Sequence, residues 1–228
     1  MMTGEHNVAH SYILYREKRN QERKQQTENY VPSIRITALD GSTKELDKEG
    51  LSEFLRNLGE GIKHIDYKRI LEEAYKNLYD GISYHDLNTA LIMVTRPLVE
   101  EEPAYSFFAA RLLKHRLCEE ALSFFQGSAI QLKDPSFDYS KLLAQYIHKG
   151  VEHEYLDQAL LKFDLSKLAS AIDISRDNLL SFFSLQTLYD RYFIHHQETR
   201  IELPQLFFMR VAMGLSLNEK ENKEQRAI

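Results

Sequence analysis

The sequence predicts a mainly α-helical protein that carries one short β-hairpin near its start. Apolar residues recur every three or four positions along most of the chain, which is the spacing of helices that bury one face. In contrast, SIRITALDGSTKEL, residues 33–46, alternates apolar and polar residues around Asp-Gly, a favoured pair for a two-residue hairpin turn. The 228 residues are 43% hydrophobic and 28% charged, values typical of one or two globular domains.

Composition and charge argue against several classes of protein. The net charge of −5 disfavours a nucleic-acid binder, which would usually be basic. No apolar run reaches the roughly 18 residues that a membrane-spanning helix needs, and the first 18 residues lack the apolar core of a signal peptide. We therefore expect a cytoplasmic protein with neither nucleic acid nor membrane as a partner.

Cys118 is the only cysteine of the chain. A single cysteine excludes an internal disulfide and a cysteine-rich zinc site. It lies in RLLKHRLCEEAL, a helical pattern in which no neighbouring residue would activate a thiol. The pattern favours a buried structural thiol over a nucleophile.

The first half of the chain predicts helices on either side of the hairpin. A short amphipathic helix at 6–19 leads into a polar linker at 17–29 that contains no large apolar residue. Ser83 and Asp86 have the spacing of a capping box, and Pro103 stands where a proline opens a helix. After the hairpin, apolar spacing and these signals predict four helices, at about 48–62, 66–79, 83–98 and 104–123.

The second half predicts further helices after a loop at 126–136. YFIHHQETRIEL, residues 192–203, predicts a turn or a short ribbon, and Pro204 opens a last helix that continues to the end of the chain. Both ends of the chain interrupt a helical pattern, so we interpret them as cut. The remaining helices are predicted at about 138–149, 153–162, 165–172 and 177–191.

Three further features have a functional and a structural interpretation. His195 and His196 are adjacent, so a surface turn is favoured over a metal site that would need a third ligand. The acidic run 100–102 favours a solvated connection, although a basic partner surface could bind it. LPQLFFMRVAMGL, residues 203–215, favours a core helix over a membrane or partner helix, although a truncated chain would leave its apolar face exposed.

Several strings resemble ribonucleotide reductase sequences. DGSTKEL, LYDGIS and EEPAYSFFAARLL resemble the ATP-cone domain of these enzymes. Residues 184–219 resemble the opening of the large-subunit catalytic domain, and VAHSYILYRE, residues 8–17, resembles the last helix of another cone. The resemblance implies an ATP-cone, a short β-hairpin on a four-helix bundle, at 31–125. A tail helix of a preceding cone and a linker would precede it at 1–30. The truncated, helical start of the reductase catalytic domain would follow at 126–228.

The resemblance also implies a function. Class I large (alpha) subunits reduce ribonucleoside diphosphates to deoxyribonucleotides with a thiyl radical cysteine and a redox-active cysteine pair. One cysteine cannot supply three, so we expect this chain alone to be inactive and to contain no catalytic residue. The implied partners are the rest of the large subunit and the radical-generating small (beta) subunit, in an oligomer.

A working cone holds ATP or dATP between its hairpin and its helices, and this chain departs from the family pattern there. The family pattern places Lys-Arg directly before Asp-Gly, where this chain has Ala38 and Leu39. Losing three or four charged hydrogen bonds removes roughly 5–10 kcal/mol of binding free energy. We therefore expect a degenerate cone. Basic or polar ligand-binding residues of the family correspond here to Gly50, Tyr84, Asn88 and Glu119.

Two alternatives remain open at the level of sequence. In the first, the cone still senses ATP or dATP with Mg²⁺, the only cofactor expected, and a shift of register by a few residues recruits Lys44, Lys48 or Lys114. In the second, the cone is a structural spacer or an oligomer interface. The residues retained from the family pattern are interpreted as scaffold: Ile36, Asp40, Gly41, Leu46, Leu51, Gly81 and Arg111. The candidate nucleotide-binding residues are Ile36, Asp40, Asp47 and Ser83.

Overall fold

The computed structural model describes residues 34–38, 41–128, 138–219 and 222–228. Residues 35–228 form one compact unit. The predicted helix at 6–19 and the polar linker lie outside the described residues, as do Leu39 and Asp40. Most of the predicted loop at 126–136 is outside them as well.

The predicted hairpin is confirmed, but its turn is longer than the sequence suggested. Strand β1 (Arg35–Thr37) pairs antiparallel with β2 (Thr43–Glu45). Beyond the last pair, the Ala38 N–H donates to the Ser42 carbonyl at 2.8 Å and the Gly41 N–H donates to the Ala38 carbonyl at 3.0 Å. Gly41 has a φ of 78°, the left-handed conformation that closes a three-residue hairpin loop. The predicted two-residue Asp-Gly turn was therefore wrong.

A third strand, which the sequence did not predict, joins this hairpin. Strand β3 (Ile82–Ser83) runs parallel to β1, so the strand order is β2-β1-β3. Gly81, at a φ of 83°, donates its N–H to the Arg35 carbonyl at 2.9 Å. Two residues are too few to show a period, which explains why apolar spacing gave no sign of this strand.

Four helices follow the hairpin, as predicted, with somewhat earlier ends for the first three. The side chains of Asp47, Asp66 and Ser83 cap the first three helices by accepting a backbone N–H of the first turn. A 3₁₀ helix, Arg96–Glu100, fills the connection to the fourth. The four helices are α1 (Lys48–Leu58), α2 (Tyr67–Tyr75), α3 (Tyr84–Thr95) and α4 (Ala104–Gln126).

The second half is helical but more interrupted than predicted. The predicted helix at 153–162 was wrong in its first half, because Glu154 has a φ of 59° and only a 3₁₀ helix, Gln158–Lys162, forms. In place of one helix at 177–191 there is a 3₁₀ helix, Ile174–Leu179, and a separate helix that Ser181 caps. The α-helices are α5 (Leu143–Glu152), preceded by a 3₁₀ turn, Ser140–Leu142, α6 (Leu165–Ala171) and α7 (Phe182–Arg191).

The end of the chain contains the predicted ribbon and a helix that is shorter than predicted. Strands β4 (His195–His196) and β5 (Thr199–Arg200) pair antiparallel, which confirms the ribbon. Helix α8 (Pro204–Ser216) begins at the expected proline, but it ends well before the chain does. A separate short helix, α9 (Lys223–Ala227), follows, so one continuous last helix was wrong.

Helix α4 is the centre of the compact unit. Thirteen of its 23 residues are buried, so it lies inside the molecule and is not a surface helix. Ten of these buried residues belong to one continuous core that also contains residues of α1–α3 and of α5–α9. We call the three strands and helices α1–α4, residues 35–126, the hairpin unit. Helix α4 packs both against the rest of this unit and against the helices that follow it. None of the helices in the described ranges is long and apolar enough to cross a membrane.

Candidate functional site

Three of the candidate nucleotide-binding residues, Ile36, Asp47 and Ser83, are described by the structure, and they lie in or next to the three-stranded sheet. Ile36 is in the central strand, opposite Lys44 on one side and Ile82 on the other. The Asp47 carboxylate accepts the Gly50 N–H at 2.9 Å, and so caps α1. Asp40 lies outside the described residues.

Ser83 is the N-cap of α3, at the position that its sequence predicted. Its hydroxyl accepts the Asp86 N–H at 3.0 Å and donates to the Asp86 carboxylate at 2.8 Å. Both of these side-chain bonds stay within the first turn of α3. Ser83 therefore starts the helix, at the point where strand β3 ends.

The structure brings together two of the positions that depart from the cone pattern. Tyr84, the first residue of α3, donates its hydroxyl proton to Glu119 Oε1 of α4 at 3.0 Å. His115 Nδ1 lies 3.9 Å from the same oxygen, one helical turn earlier on α4. Glu119 and His115 are both buried, at 7% and 3% exposure. We call these three residues the Tyr84 cluster.

An aromatic ring from a third helix packs against the Tyr84 cluster. Phe54 of α1 places its ring against the ring of His115, with centroids 4.9 Å apart at a steep angle. Asn88, one turn after Tyr84 on α3, is also buried. The cluster therefore occupies the junction of α1, α3 and α4.

Position 50 is crowded from the side of the Asp47 cap. A Cβ atom built on Gly50 would overlap the Asp47 carboxylate. A lysine at this position, which the family pattern would supply, requires the Asp47 side chain to turn away from the helix start. The absence of a side chain at position 50 therefore leaves room for the Asp47 cap in its observed position.

The three lysines that a shifted register would recruit have different environments. Lys114 Nζ lies 3.7 Å from the buried carboxylate of Asp177, in the second half of the molecule. Lys48 holds its ammonium 5.3 Å from the centre of the Tyr75 ring. Lys44 is exposed on β2. Lys114 therefore forms an ion pair with Asp177, whereas Lys44 and Lys48 lie at the edge of the hairpin unit.

The residues interpreted as scaffold support the backbone. Gly41 and Gly81 have positive φ angles in the turns that flank β1 and β3. Arg111 of α4 donates to the carbonyls of Leu58 at 2.9 Å and Glu60 at 2.6 Å, and so binds the end of α1. These contacts agree with a structural role.

A charged pair that sequence reasoning missed ties the hairpin to β3. Arg35 Nη2 lies 2.5 Å from Asp80 Oδ2, and the Arg35 N–H donates to Asp80 Oδ1 at 2.9 Å. Hydrogen bonds from Arg35 lower the pKa of Asp80 to about 2. The two residues are 45 positions apart, and nothing in the sequence pairs them.

Cys118 is buried, as the sequence predicted. Burial raises the pKa of its thiol to about 12, because the charged thiolate would lose its hydration. A thiol with such a pKa is protonated at neutral pH and is a poor nucleophile or radical relay.

The two histidines of the ribbon have different surroundings. His195 is exposed, whereas His196 Nδ1 lies 2.8 Å from the Tyr155 hydroxyl and its ring contacts those of Phe124 and His153. Among the described residues, no group of three or more His, Cys, Asp or Glu side chains is arranged to hold a metal ion. An ordinary turn with one packed histidine accounts for the pair.

Known proteins match this chain in two ways. The family described as "Ribonucleotide reductase, all-alpha domain" matches residues 178–228. The whole chain is 39% identical to the ribonucleoside-diphosphate reductase subunit alpha of Chlamydia pneumoniae, and 97% of it is 36% identical to that of Chlamydia trachomatis. Over its whole length, the chain is similar to part of ribonucleoside-diphosphate reductase alpha subunits. The suspected resemblance is therefore confirmed, and the chain corresponds to an N-terminal region of these subunits.

The match covers only part of the reductase relatives. The chain spans 22% of the length of each chlamydial alpha subunit. In the Escherichia coli ribonucleoside-diphosphate reductase 1 alpha subunit, 82% of the chain matches at 22% identity, over 24% of that protein. The all-alpha domain match contains α7, the β4–β5 ribbon, α8 and α9, so the expected helical character of this region is confirmed.

Proposed function

We propose that this chain is a regulatory and structural part of a ribonucleoside-diphosphate reductase alpha subunit and contains no catalytic residue. The parent enzyme would reduce ribonucleoside diphosphates to deoxyribonucleotides in the cytoplasm. Its partners would be the rest of the alpha subunit and a radical-generating beta subunit, within an oligomer. The alpha-subunit relatives support this role, and the single, buried Cys118 supports the absence of thiol chemistry in the chain itself.

We further propose that residues 31–125 form an ATP-cone that no longer binds ATP or dATP. The carrying observation is the hydrogen bond between Tyr84 and Glu119, at two positions where the cone pattern has a polar and a basic residue. A carboxylate at such a position repels a triphosphate, and the bond to Tyr84 holds it in place. The residues of the Tyr84 cluster therefore do not fit a nucleoside triphosphate.

The cationic groups of this region support the same proposal. A triphosphate needs several Lys or Arg donors that converge on one point. Lys114 instead faces Asp177, and Arg35 is bound to Asp80. A lysine cannot enter at position 50 unless the Asp47 cap moves. The expected loss of roughly 5–10 kcal/mol is enough to abolish micromolar binding.

The second candidate function is an ATP-cone that still binds and senses ATP or dATP. Its cations would be Lys44 on β2 and Lys48 in the first turn of α1, where the helix dipole also favours an anion. This arrangement would hold the phosphates at the rim of the sheet, away from the Tyr84 cluster.

Calorimetric titration with Mg-ATP and Mg-dATP separates the two candidates. A cooperative thermal transition is measured first, to establish that the chain is folded. An absence of binding heat then reports on the site and not on unfolding. We expect no saturable heat up to millimolar nucleotide. Saturable micromolar binding that the Lys44→Ala, Lys48→Ala double variant weakens would overturn the proposal in favour of a sensor. Binding that this double variant leaves unchanged would also overturn it, and would direct attention to other cations.

The structural role predicts an effect on assembly in the full-length enzyme. If the cone is a spacer or an oligomer interface, its deletion abolishes any dATP-driven change in size measured by light scattering. Persistence of that change after deletion of residues 31–125 would exclude the structural role, while leaving the absence of nucleotide binding untouched.

A further inference from the structure

Adjacent carboxylates on α4 bind different parts of the molecule. Glu119 accepts the hydroxyl of Tyr84 on α3, within the hairpin unit. Glu120 accepts the hydroxyl of Tyr189 on α7 at 3.0 Å and the N–H of Arg200 on β5 at 3.2 Å. Tyr189 and Arg200 lie in the region that matches the reductase all-alpha domain. Helix α4 thus has polar contacts with both halves of the compact unit.

Arg116 joins these two sets of contacts. Its Nη1 donates to Thr89 Oγ1 of α3 at 3.3 Å, and its Nη2 donates to the Tyr189 hydroxyl of α7 at 3.3 Å. Its Nε donates to Glu120 Oε1 at 2.9 Å. One planar guanidinium therefore joins α4 to two other helices, α3 and α7, and uses its third nitrogen for a carboxylate of its own helix.

The surroundings keep this guanidinium from relaxing into water. The side chains of Arg116 and Glu120 are only 20% and 15% exposed. Tyr189 is buried, and the guanidinium carbons of Arg116 and Arg200 lie 5.8 Å and 4.3 Å from the centre of its ring. Burial, followed by the nearby Glu120 charge, raises the pKa of Tyr189 to about 12, so its hydroxyl stays protonated and donates at neutral pH.

We infer that Arg116 is a positioning residue that couples the hairpin unit to the all-alpha domain. A rigid, planar fork cannot follow a displacement of α3 without moving its bonds to α7 as well. The path runs from Thr89 through Arg116 to Glu120 and Tyr189, and ends at the backbone of β5. This coupling goes beyond the proposed loss of nucleotide binding and does not depend on it.

Thermodynamic coupling between Thr89 and Tyr189 tests the inference. The equilibrium constants of urea unfolding are measured for Thr89→Val, Tyr189→Phe and the pair. Sites that share no partner multiply their effects within about twofold, whereas members of one hydrogen-bond network depart further. We expect a departure of about threefold or more. Multiplicative behaviour would overturn the inference.

The same cycle in an Arg116→Met background identifies the coupling residue. Met keeps much of the apolar stem and removes all three donors, so the departure should fall to within about twofold. A departure that survives in this background would show that Arg116 does not carry the coupling, and would overturn the inference. Thr89→Ser keeps the acceptor oxygen, so its coupling to Tyr189 should equal that of the original chain. It is the control for misfolding caused by a change at this position.

Amide exchange at Arg200 gives a local readout that a general loss of stability would not mimic. Its N–H donates to Glu120, on the far side of the network from Thr89. Under native conditions, we expect Thr89→Val to speed exchange at Arg200 by about threefold or more relative to a matched control. That control is Thr95→Val, because the Thr95 hydroxyl bonds to the Leu91 carbonyl of the same helix, α3. Equal acceleration by both variants would overturn the inference.

Discussion

The hydroxyl of Tyr84 is joined to the carboxylate of Glu119 by a hydrogen bond of 3.0 Å, which ties the first residue of α3 to α4. Tyr84 directly follows Ser83, whose strand pairs with β1. The bond therefore fixes the sheet, α3 and α4 relative to one another. Two positions that distinguish this chain from the cone pattern thus stabilise each other.

Replacing Tyr84 with Phe should destabilise the protein. The change removes one partner of the buried Glu119 carboxylate and keeps the ring, so we expect a loss of about 1–3 kcal/mol in the free energy of unfolding. Urea denaturation measures it. Tyr79→Phe is the matched control, because Tyr79 is 58% exposed and should change stability by less than about 0.5 kcal/mol. Equal midpoints for the two variants would mean that the Tyr84 bond contributes nothing.

Glu202 should be among the most sensitive positions outside the hairpin unit. It is fully buried and accepts hydrogen bonds from the Tyr146 hydroxyl, from Arg210 Nε at 2.5 Å and from the Ile194 N–H at 2.7 Å. Glu202→Ala leaves the Arg210 charge without its counter-ion, so we expect a loss of about 3–5 kcal/mol in urea denaturation.

The control for Glu202 lies in the same ribbon. Glu198 is exposed, and Glu198→Ala should change the free energy of unfolding by less than about 0.5 kcal/mol. A Glu202→Ala variant as stable as this control would contradict a structural role for the buried carboxylate.

Cys118 should be inert in the folded protein. Its buried thiol, with a pKa of about 12, is almost entirely protonated at pH 8 and is inaccessible. We expect negligible labelling by a thiol-specific disulfide reagent without denaturant, and one equivalent of labelling in 8 M urea. Rapid labelling of a chain that retains its native circular dichroism would contradict the burial.

The Arg35–Asp80 pair should weaken only in acid. Because the folded pKa of Asp80 is lowered to about 2 from a usual value near 3.8, the pair adds stability above pH 3.8 and loses it as pH falls towards 2. Exchange of the Arg35 N–H, which donates to Asp80, reports this contact locally.

We therefore compare Asp80→Asn with the unchanged chain across pH. The difference in Arg35 amide protection should be full above pH 4 and should disappear near pH 2. Asp190→Asn makes the same change of charge on α7 and serves as the control. A difference that is constant down to pH 2 would contradict the lowered pKa.

Two glycines should respond to alanine with opposite signs. Neither has an atom within 4 Å of the added Cβ, so packing does not decide the outcome. Gly41 has a φ of 78°, and Gly41→Ala should cost about 1–2 kcal/mol because L-residues are strained there. Gly214 lies in α8, and Gly214→Ala should add about 0.5–1 kcal/mol of stability. Thermal denaturation of both variants measures the two changes in stability. Changes of the same sign would contradict the prediction.

Local signals predicted much of the fold. Ser83 and Asp86 gave the start of α3, Pro204 gave the start of α8, and apolar spacing gave the helices of the hairpin unit. The ends of helices were less predictable, because they depend on tertiary contacts. Arg111, for example, binds the carbonyls at the end of α1 from a helix some fifty residues away.

The candidate site was predictable only in part. A departure from the cone pattern at Tyr84 and Glu119 was visible in the sequence, but their mutual hydrogen bond spans 35 residues and leaves no periodic trace. The same holds for Arg116, whose partners come from α3 and α7. Contacts of this kind depend on how helices pack, which no local spacing records.

Helix α4, about 34 Å long at 1.5 Å per residue, has an evolutionary consequence. Changes of single side chains, such as those at positions 50 and 119, would alter a ligand site and leave the core around α4 in place. Deleting the segment before α4 would instead expose one side of a helix that the remaining protein needs. A module that had lost its ligand would therefore still be retained by selection on its neighbour.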